Sequence, residues 1–173
     1  MKWLLSCIYL SLSASICEQI SESLSMRRAT SVLHHWPTDQ QVSTVTLAFG
    51  DRHRRRIVLA DDGGAEFLLD LPTATQLSDG DGLALEGGGV IAVRAAEEQV
   101  VDVTCVTAED LGRIAWHVGN RHMPAQVLPG ALRVPADHVL IEMLRGLGAT
   151  VTPRLAPFQP EGGAYAGRHA HDH

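Results

Sequence analysis

The chain changes rhythm once, near residues 95–100, and that change restricts the folds open to it more than any other feature. Ahead of it, short β-branched or apolar runs alternate with turn residues. The runs are 44–49 ending at Gly50-Asp51, 56–60 ending at Asp61-Asp62-Gly63-Gly64, 66–71 stopping at Pro72, then 83–85, and 90–93 after Gly87-Gly88-Gly89. Closely spaced strands with glycine turns and no helical period predict a small all-β domain over 26–94. Arg52-His53-Arg54-Arg55-Arg56, the one basic run, reads there as a solvated turn between strands.

Behind the change, strands and helices alternate. Residues 100–106 read as a buried strand. Thr107 can cap a helix, with Asp110 three residues on, and Leu111, Ile114, Ala115 and Val118 then recur at i, i+3, i+4 and i+7 until Gly119-Asn120. Strands at 125–128 and 131–134 flank Pro129-Gly130. Asp137 can cap a second helix with the stripe Leu140, Met143, Leu144, Leu147, stopped by Gly148, before a last strand at 150–155. The order β-α-β-β-α-β over 95–157 predicts a ferredoxin-like domain, so the fold class is α+β. Residues 158–173 are Pro-, Gly- and Ala-rich, end Arg168-His169-Ala170-His171-Asp172-His173, and read as a disordered His-containing tail.

Residues 1–25 stand apart. They hold seven of the ten Ser, two of the three Cys and the lone Lys2, and none of the 16 Gly. The apolar run after Lys2 resembles a signal-peptide core and is shorter than the roughly 20 residues a spanning helix needs. The abrupt shift at Met26 favours a non-native upstream extension with translation starting there, and hence a cytoplasmic protein. This segment is set aside from the fold argument.

Composition excludes several functions. A net charge of −6 leaves no basic nucleic-acid footprint. Cys7, Cys17 and Cys105 are too widely spaced for a CxxC metal site. Catalytic signatures of the GxSxG, HExxH and P-loop kinds are missing, Cys105 reads as a buried inert thiol, and Asp61, Asp62, Asp79 and Asp81 read as turn residues. What remains is nine His against one Lys, and imidazole is the side chain best suited to borderline transition metals. His34, His35 and His53 fall in the β domain and read as incidental. His117 lies one step off the first helical stripe, His122 in the loop after it, and His138 at the start of the second helix. Periodicity alone does not choose between ligand and surface roles for these three. His169, His171 and His173 alternate in a tail where no core can form, which favours metal capture over an inert or residual segment.

The stretch Ile114-Ala115-Trp116-His117-Val118-Gly119-Asn120-Arg121-His122-Met123-Pro124-Ala125-Gln126 resembles the signature of the urease accessory metallochaperones called UreE. Phe67-Leu68-Leu69-Asp70-Leu71-Pro72 with Asp79-Gly80-Asp81, the opening Asp137-His138-Val139-Leu140, and the His-bearing C-terminus are similar to that family as well. The resemblance implies a homodimer with a peptide-binding-like N-terminal domain and no enzymatic activity. It implies Ni2+ as cargo, with Zn2+ or Cu2+ as competitors, carried to an accessory GTPase and the urease apoprotein complex, without nucleic acid or membrane. It assigns His122 to the essential nickel ligand, shared with its symmetry mate, and matches His117 and His138 to accessory metal positions. Ala136 stands where some members carry His, and Trp116 where Tyr is common. Two other functions fit the same histidines. One is a zinc-dependent hydrolase using His117, His122 and His138 within one chain. The other is a secreted metal-buffering protein. Ligation needs neutral imidazole, so capture should weaken as pH falls through about 6.5.

Overall fold

The computed structural model describes residues 26–162; residues 1–25 and the tail His169, His171 and His173 lie outside them. Two sheets with separate cores are built in succession. The first has six strands: β1 (Arg27–Leu33), β2 (Gln41–Leu47), β3 (His53–Ala60), β4 (Glu66–Gln76), β5 (Gly82–Leu85) and β6 (Val90–Ala95), in the order β2-β6-β5-β1-β4-β3. Most neighbours run antiparallel, but β1 lies parallel to β4 and β2 parallel to β6. Ala29, Val45, Phe67, Leu69, Leu83, Ile91 and Val93 fill its core. Their period of two within each strand places one face inward.

Two features depart from the sequence reading. β1 was not expected: RRATSVL carries few apolar residues, yet it occupies the middle of the sheet because its partners β4 and β5 come from far along the chain. β4 does not stop at Pro72. Arg54 pairs with Thr75 and Arg56 with Asp70, so residues 71–74 of β4 face only Arg55 across a wide bulge. Pro72 sits inside that bulge, where the missing N–H costs no ladder bond.

The second sheet comprises β7 (Glu97–Thr104), β8 (Gln126–Leu128), β9 (Ala131–Pro135) and β10 (Thr150–Pro157), in the fully antiparallel order β10-β7-β9-β8. Helices α1 (Ala108–Gly119) and α2 (His138–Gly146) interleave with them to give the ferredoxin-like βαββαβ arrangement expected. Both caps form as the sequence implies. Thr107 Oγ1 accepts from the Asp110 amide (3.1 Å) and donates to the Asp110 carboxylate (2.6 Å); Asp137 Oδ1 accepts from the Leu140 amide (2.8 Å). Ile114, Val118, Leu140 and Leu144 then bury against Val101, Val103, Leu132 and Val134.

The joint between the two sheets rests on Arg52, and here the reading of 52–56 as a solvated turn is corrected. Arg52 has no exposed surface. Its guanidinium donates to the carbonyl of Phe158, to the side-chain oxygen of Gln159 and, at 3.5 Å, to the carbonyl of Leu77, and lies 5.6 Å from the Phe49 ring centroid. Burial pulls its pKa below the usual arginine value, opposed by the nearby Glu98, Asp79 and Asp81. Phe158 is buried and meets Phe49 edge-on at 5.5 Å. The tail therefore does not begin at 158. Gln159 N donates to Gln126 Oε1 (3.1 Å) and Glu161 N to the Ala125 carbonyl (2.8 Å), so 158–161 form a strap from the first domain onto β8.

Removing Arg52 strands these acceptors in a dry joint. Arg52→Met should lower unfolding free energy by about 3 kcal/mol in urea titration, the scale of lost charge-assisted hydrogen bonds. A second outcome concerns acid. Hydrogen bonds from Ser43 and Arg27, and from the Ala65 amide, hold the Asp61 carboxyl well below the usual carboxylate range, and Arg28 and Arg133 do the same for Asp70 and Asp102. The unfolded chain binds protons at these sites more readily than the folded one. Their stabilisation is therefore complete above about pH 4 and drains away as pH falls through the lower folded values. Asp61→Asn should flatten the loss of stability between about pH 5 and pH 2 measured by chemical denaturation.

Candidate metal centre

The α1–β8 loop is built by the way α1 ends. The amides of Asn120 and Arg121 turn back to the carbonyls of Trp116 (2.9 Å) and Val118 (3.1 Å), that of His122 to Gly119 (2.9 Å), and that of Met123 to Val118 (3.3 Å). The last two bonds are the paired closure of a Schellman motif, with His122 in the position that demands a left-handed backbone. His122 has φ 55°, the only positive φ among the non-glycine residues described. Glycine is usual there, because a Cβ costs about 1–2 kcal/mol in that conformation. Met123 packs onto the core after the turn, and the imidazole stands exposed. A strained residue held by well-formed surroundings points to a role outside folding. The partial negative charge of the α1 C-terminus also favours a cation beside it.

The other two histidines of this domain are placed differently. β7 and β8 run parallel with β9 between them, so the end of α1 and the start of α2 fall at the same end of the sheet's strands. His122 and His138 therefore lie at the same end of the sheet, but His138 is the first residue of α2, at its positive end, which a cation does not prefer. His117 lies in the last turn of α1, half-buried, with its ring 4.9 Å from that of Trp116. Its i+4 neighbour Arg121 donates to the His117 backbone carbonyl at 3.3 Å. Among the described residues no three His, Cys, Asp or Glu side chains converge on a common point. Of the histidines read as incidental, His35 and His53 are exposed; His34 is held by Asp81 at 2.8 Å. Cys105 is half-buried, and burial raises its thiol pKa, as expected of an inert thiol.

One residue on from His122, between α1 and the edge strand β8, lies a largely apolar depression of about 260 Å³ lined by Ala115, Gly119, Met123, Val127 and Leu132 together with Glu161. Val127 is 61% exposed, and Trp116, next to Ala115 in α1, 64%. Periodicity could not mark this surface, because Ala115 and Gly119 read as part of the core stripe and the helix stop. Only the placement of β8 at the sheet edge leaves them uncovered. No helix among the described residues is long and apolar enough to cross a membrane.

Comparison with known proteins agrees with this architecture. The family model for the N-terminal domain of the UreE urease accessory protein matches residues 27–96, and that for its C-terminal domain matches 98–173. The chain is 48% identical over 150 residues to the urease accessory protein UreE of Azorhizobium caulinodans, covering 86% of this chain and 72% of that one. It is 49% identical over 147 residues to that of Chelativorans sp., covering 85% and 91%, and 48% identical over 150 residues to that of Rhodobacter capsulatus, covering 86% and 94%.

Because the left-handed position would accept glycine without strain, His122→Gly should leave apo stability unchanged or raise it by about 1 kcal/mol, whereas His122→Ala keeps the backbone penalty. Thermal melts of the two metal-free variants check this ordering.

Proposed function

The chain belongs to the UreE family of urease accessory proteins, and from that premise we propose that it is a non-enzymatic cytoplasmic carrier that binds Ni2+ at a dimer interface through His122. The observation that carries this reading is an exposed imidazole on a strained backbone, one residue before Met123 in the wall of an uncovered, largely apolar depression. A second copy packed on Ala115, Gly119, Met123 and Val127 would cover that depression. A two-fold axis there would turn one His122 per chain into two ligands on one ion, an isologous arrangement.

Two imidazoles leave most of the nickel shell open. The strap supports the tail as the source of the remainder. Glu161 is tied to Ala125, three residues after His122, and His169 is eight residues further along. An extended tether of that length reaches about 28 Å at most, enough to return to the loop. His171 and His173 follow within the same reach. His117 and His138 are accessory contacts in this proposal. A shell completed by ligands on a tether can open again, which suits an ion destined for the accessory GTPase and the urease apoprotein complex. Imidazole alone does not choose nickel over copper or zinc, so geometry and the receiving partner supply that choice. A zinc hydrolase built on His117, His122 and His138 has no support in the geometry, since those side chains do not converge among the described residues.

Equilibrium dialysis with Ni2+ tests the assignment. A chain ending at residue 162 should keep one ion per dimer at reduced affinity, and adding His122→Ala should abolish it. Unchanged stoichiometry and affinity in that double variant would remove His122 from the site. Ala115→Arg should shift sedimentation from dimer to monomer and lower nickel affinity at least tenfold, while leaving the circular dichroism spectrum in place.

A further inference from the structure

The polar bonds of residues 158–161 divide between the two domains. Phe158 is buried, and its carbonyl accepts from Arg52. The side-chain oxygen of Gln159 accepts from Arg52 and, at 3.3 Å, from the Asp79 amide, so both of its bonds lie in the first domain. Asp79 is itself fixed there, because its carboxylate accepts from the Ala95 amide at the end of β6 (2.8 Å). The main-chain N–H of the same Gln159 turns the other way, to Gln126 Oε1 at the start of β8 (3.1 Å).

Glu161 finishes the strap on the outer edge of β8. Its N–H donates to the Ala125 carbonyl (2.8 Å), and its Oε1 accepts from the Val127 amide (3.3 Å). Those two groups point away from β9, where an edge strand leaves its main chain without a neighbour. One exposed glutamate thus serves both, with main chain and side chain, in the wall of the depression at Ala115, Gly119 and Met123.

This crossing decides where the C-terminal histidines start from. β10 ends at Pro157, paired with Glu97 on β7, and in the order β10-β7-β9-β8 it is the edge opposite β8. Three strand spacings, roughly 14 Å, separate the two edges. With the strap docked, the last fixed residue is Glu161, beside Ala125, and His169 follows after eight residues. Without it, the last paired residue is Pro157 on the far edge, and His169 follows after twelve. A receding anchor and a longer linker both lower the effective concentration of a tethered ligand. Linkage then requires the converse: ligation by the tail must favour the docked strap to the same degree.

We propose that the strap is a positioning device for nickel. Gln159 and Glu161 hold the origin of the tail beside the His122 loop, and engagement of the ion by the tail imidazoles locks the strap onto the Arg52 joint. Nickel capture and closure of the two domains are one coupled equilibrium, so an event that opens the joint loosens the ion. This deepens the carrier reading and rests on it.

Nickel titration by calorimetry separates the two anchors. Gln159→Ala cuts both side-chain bonds to the first domain and leaves the N–H on Gln126. Glu161→Ala cuts the bond to Val127, and Glu161→Gln keeps an oxygen there. Each is made in the full chain, with the tail intact and with His169, His171 and His173 all replaced by alanine. With the tail intact, both alanine variants should weaken nickel binding about threefold or more, and Glu161→Gln should bind like the parent. With the tail histidines gone, none of the three should change it. Hydrogen-exchange mass spectrometry of a peptide covering 157–162 should show slower exchange on adding nickel, and only with the tail intact. The proposal is overturned if either alanine variant binds nickel like the parent, or if nickel leaves exchange in the strap unchanged. Equal weakening with and without the tail histidines would confine Gln159 and Glu161 to folding and overturn it too. Replacing the tail histidines separates this failure from that of the carrier reading: if that alone leaves nickel affinity unchanged, the tail supplies no ligand and both fall.

Discussion

The buried guanidinium of Arg52 is the constraint on which the arrangement of this molecule depends. An arginine without exposed surface is tolerable only where acceptors surround it, and the carbonyls of Phe158 and Leu77 with the Gln159 side chain supply them from both domains. Those same groups begin the strap along β8, and Gln159 Oε1 also accepts from the Asp79 amide. One side chain thus ties a turn of the first domain to the strand that follows the His122 loop. Arg52 Nε has no hydrogen-bond partner among the described residues, so the joint is held by its two terminal nitrogens.

At the other end of that strap, local strain and exposure coincide. His122 occupies a backbone position better suited to glycine, and the well-bonded end of α1 with Met123 in the core holds it there. A carrier needs a ligand fixed in place and a coordination shell left unfinished. In the proposed carrier role, a Schellman turn on a packed helix supplies the first. The stability given up at this residue is small beside the packing of Ile114, Val118 and Leu144 that supports it.

The second domain was legible residue by residue because its signals are local. Thr107 and Asp137 cap within three residues of the amides they satisfy, and the Ile114, Val118, Leu140 and Leu144 stripes have a helix period. The first domain was legible only in part. β1 escaped notice because a strand between two sequence-distant partners is stabilised by neighbours rather than by its own apolar content, and β4 was cut short because a proline inside a bulge is indistinguishable, locally, from one that ends a strand. At the candidate site, the Gly-Asn-Arg-His segment pointed to His122, whereas the uncovered Ala115–Val127 surface had no local mark.

By itself the sequence determined which segments become helices and strands of the second domain, where they begin, and that imidazole is the chemistry in stock. These follow from capping, periodicity and side-chain type, which act over a few residues. Tertiary structure alone decided that Arg52 is buried while Arg54, Arg55 and Arg56 are not. It also decided that His122 and His138 share one end of the sheet but part at opposite helix poles, and that residues 158–161 are a strap rather than a tail. Each of those outcomes depends on a partner tens of residues away, and burial and hydrogen bonding across such separations are set only once the strands have paired.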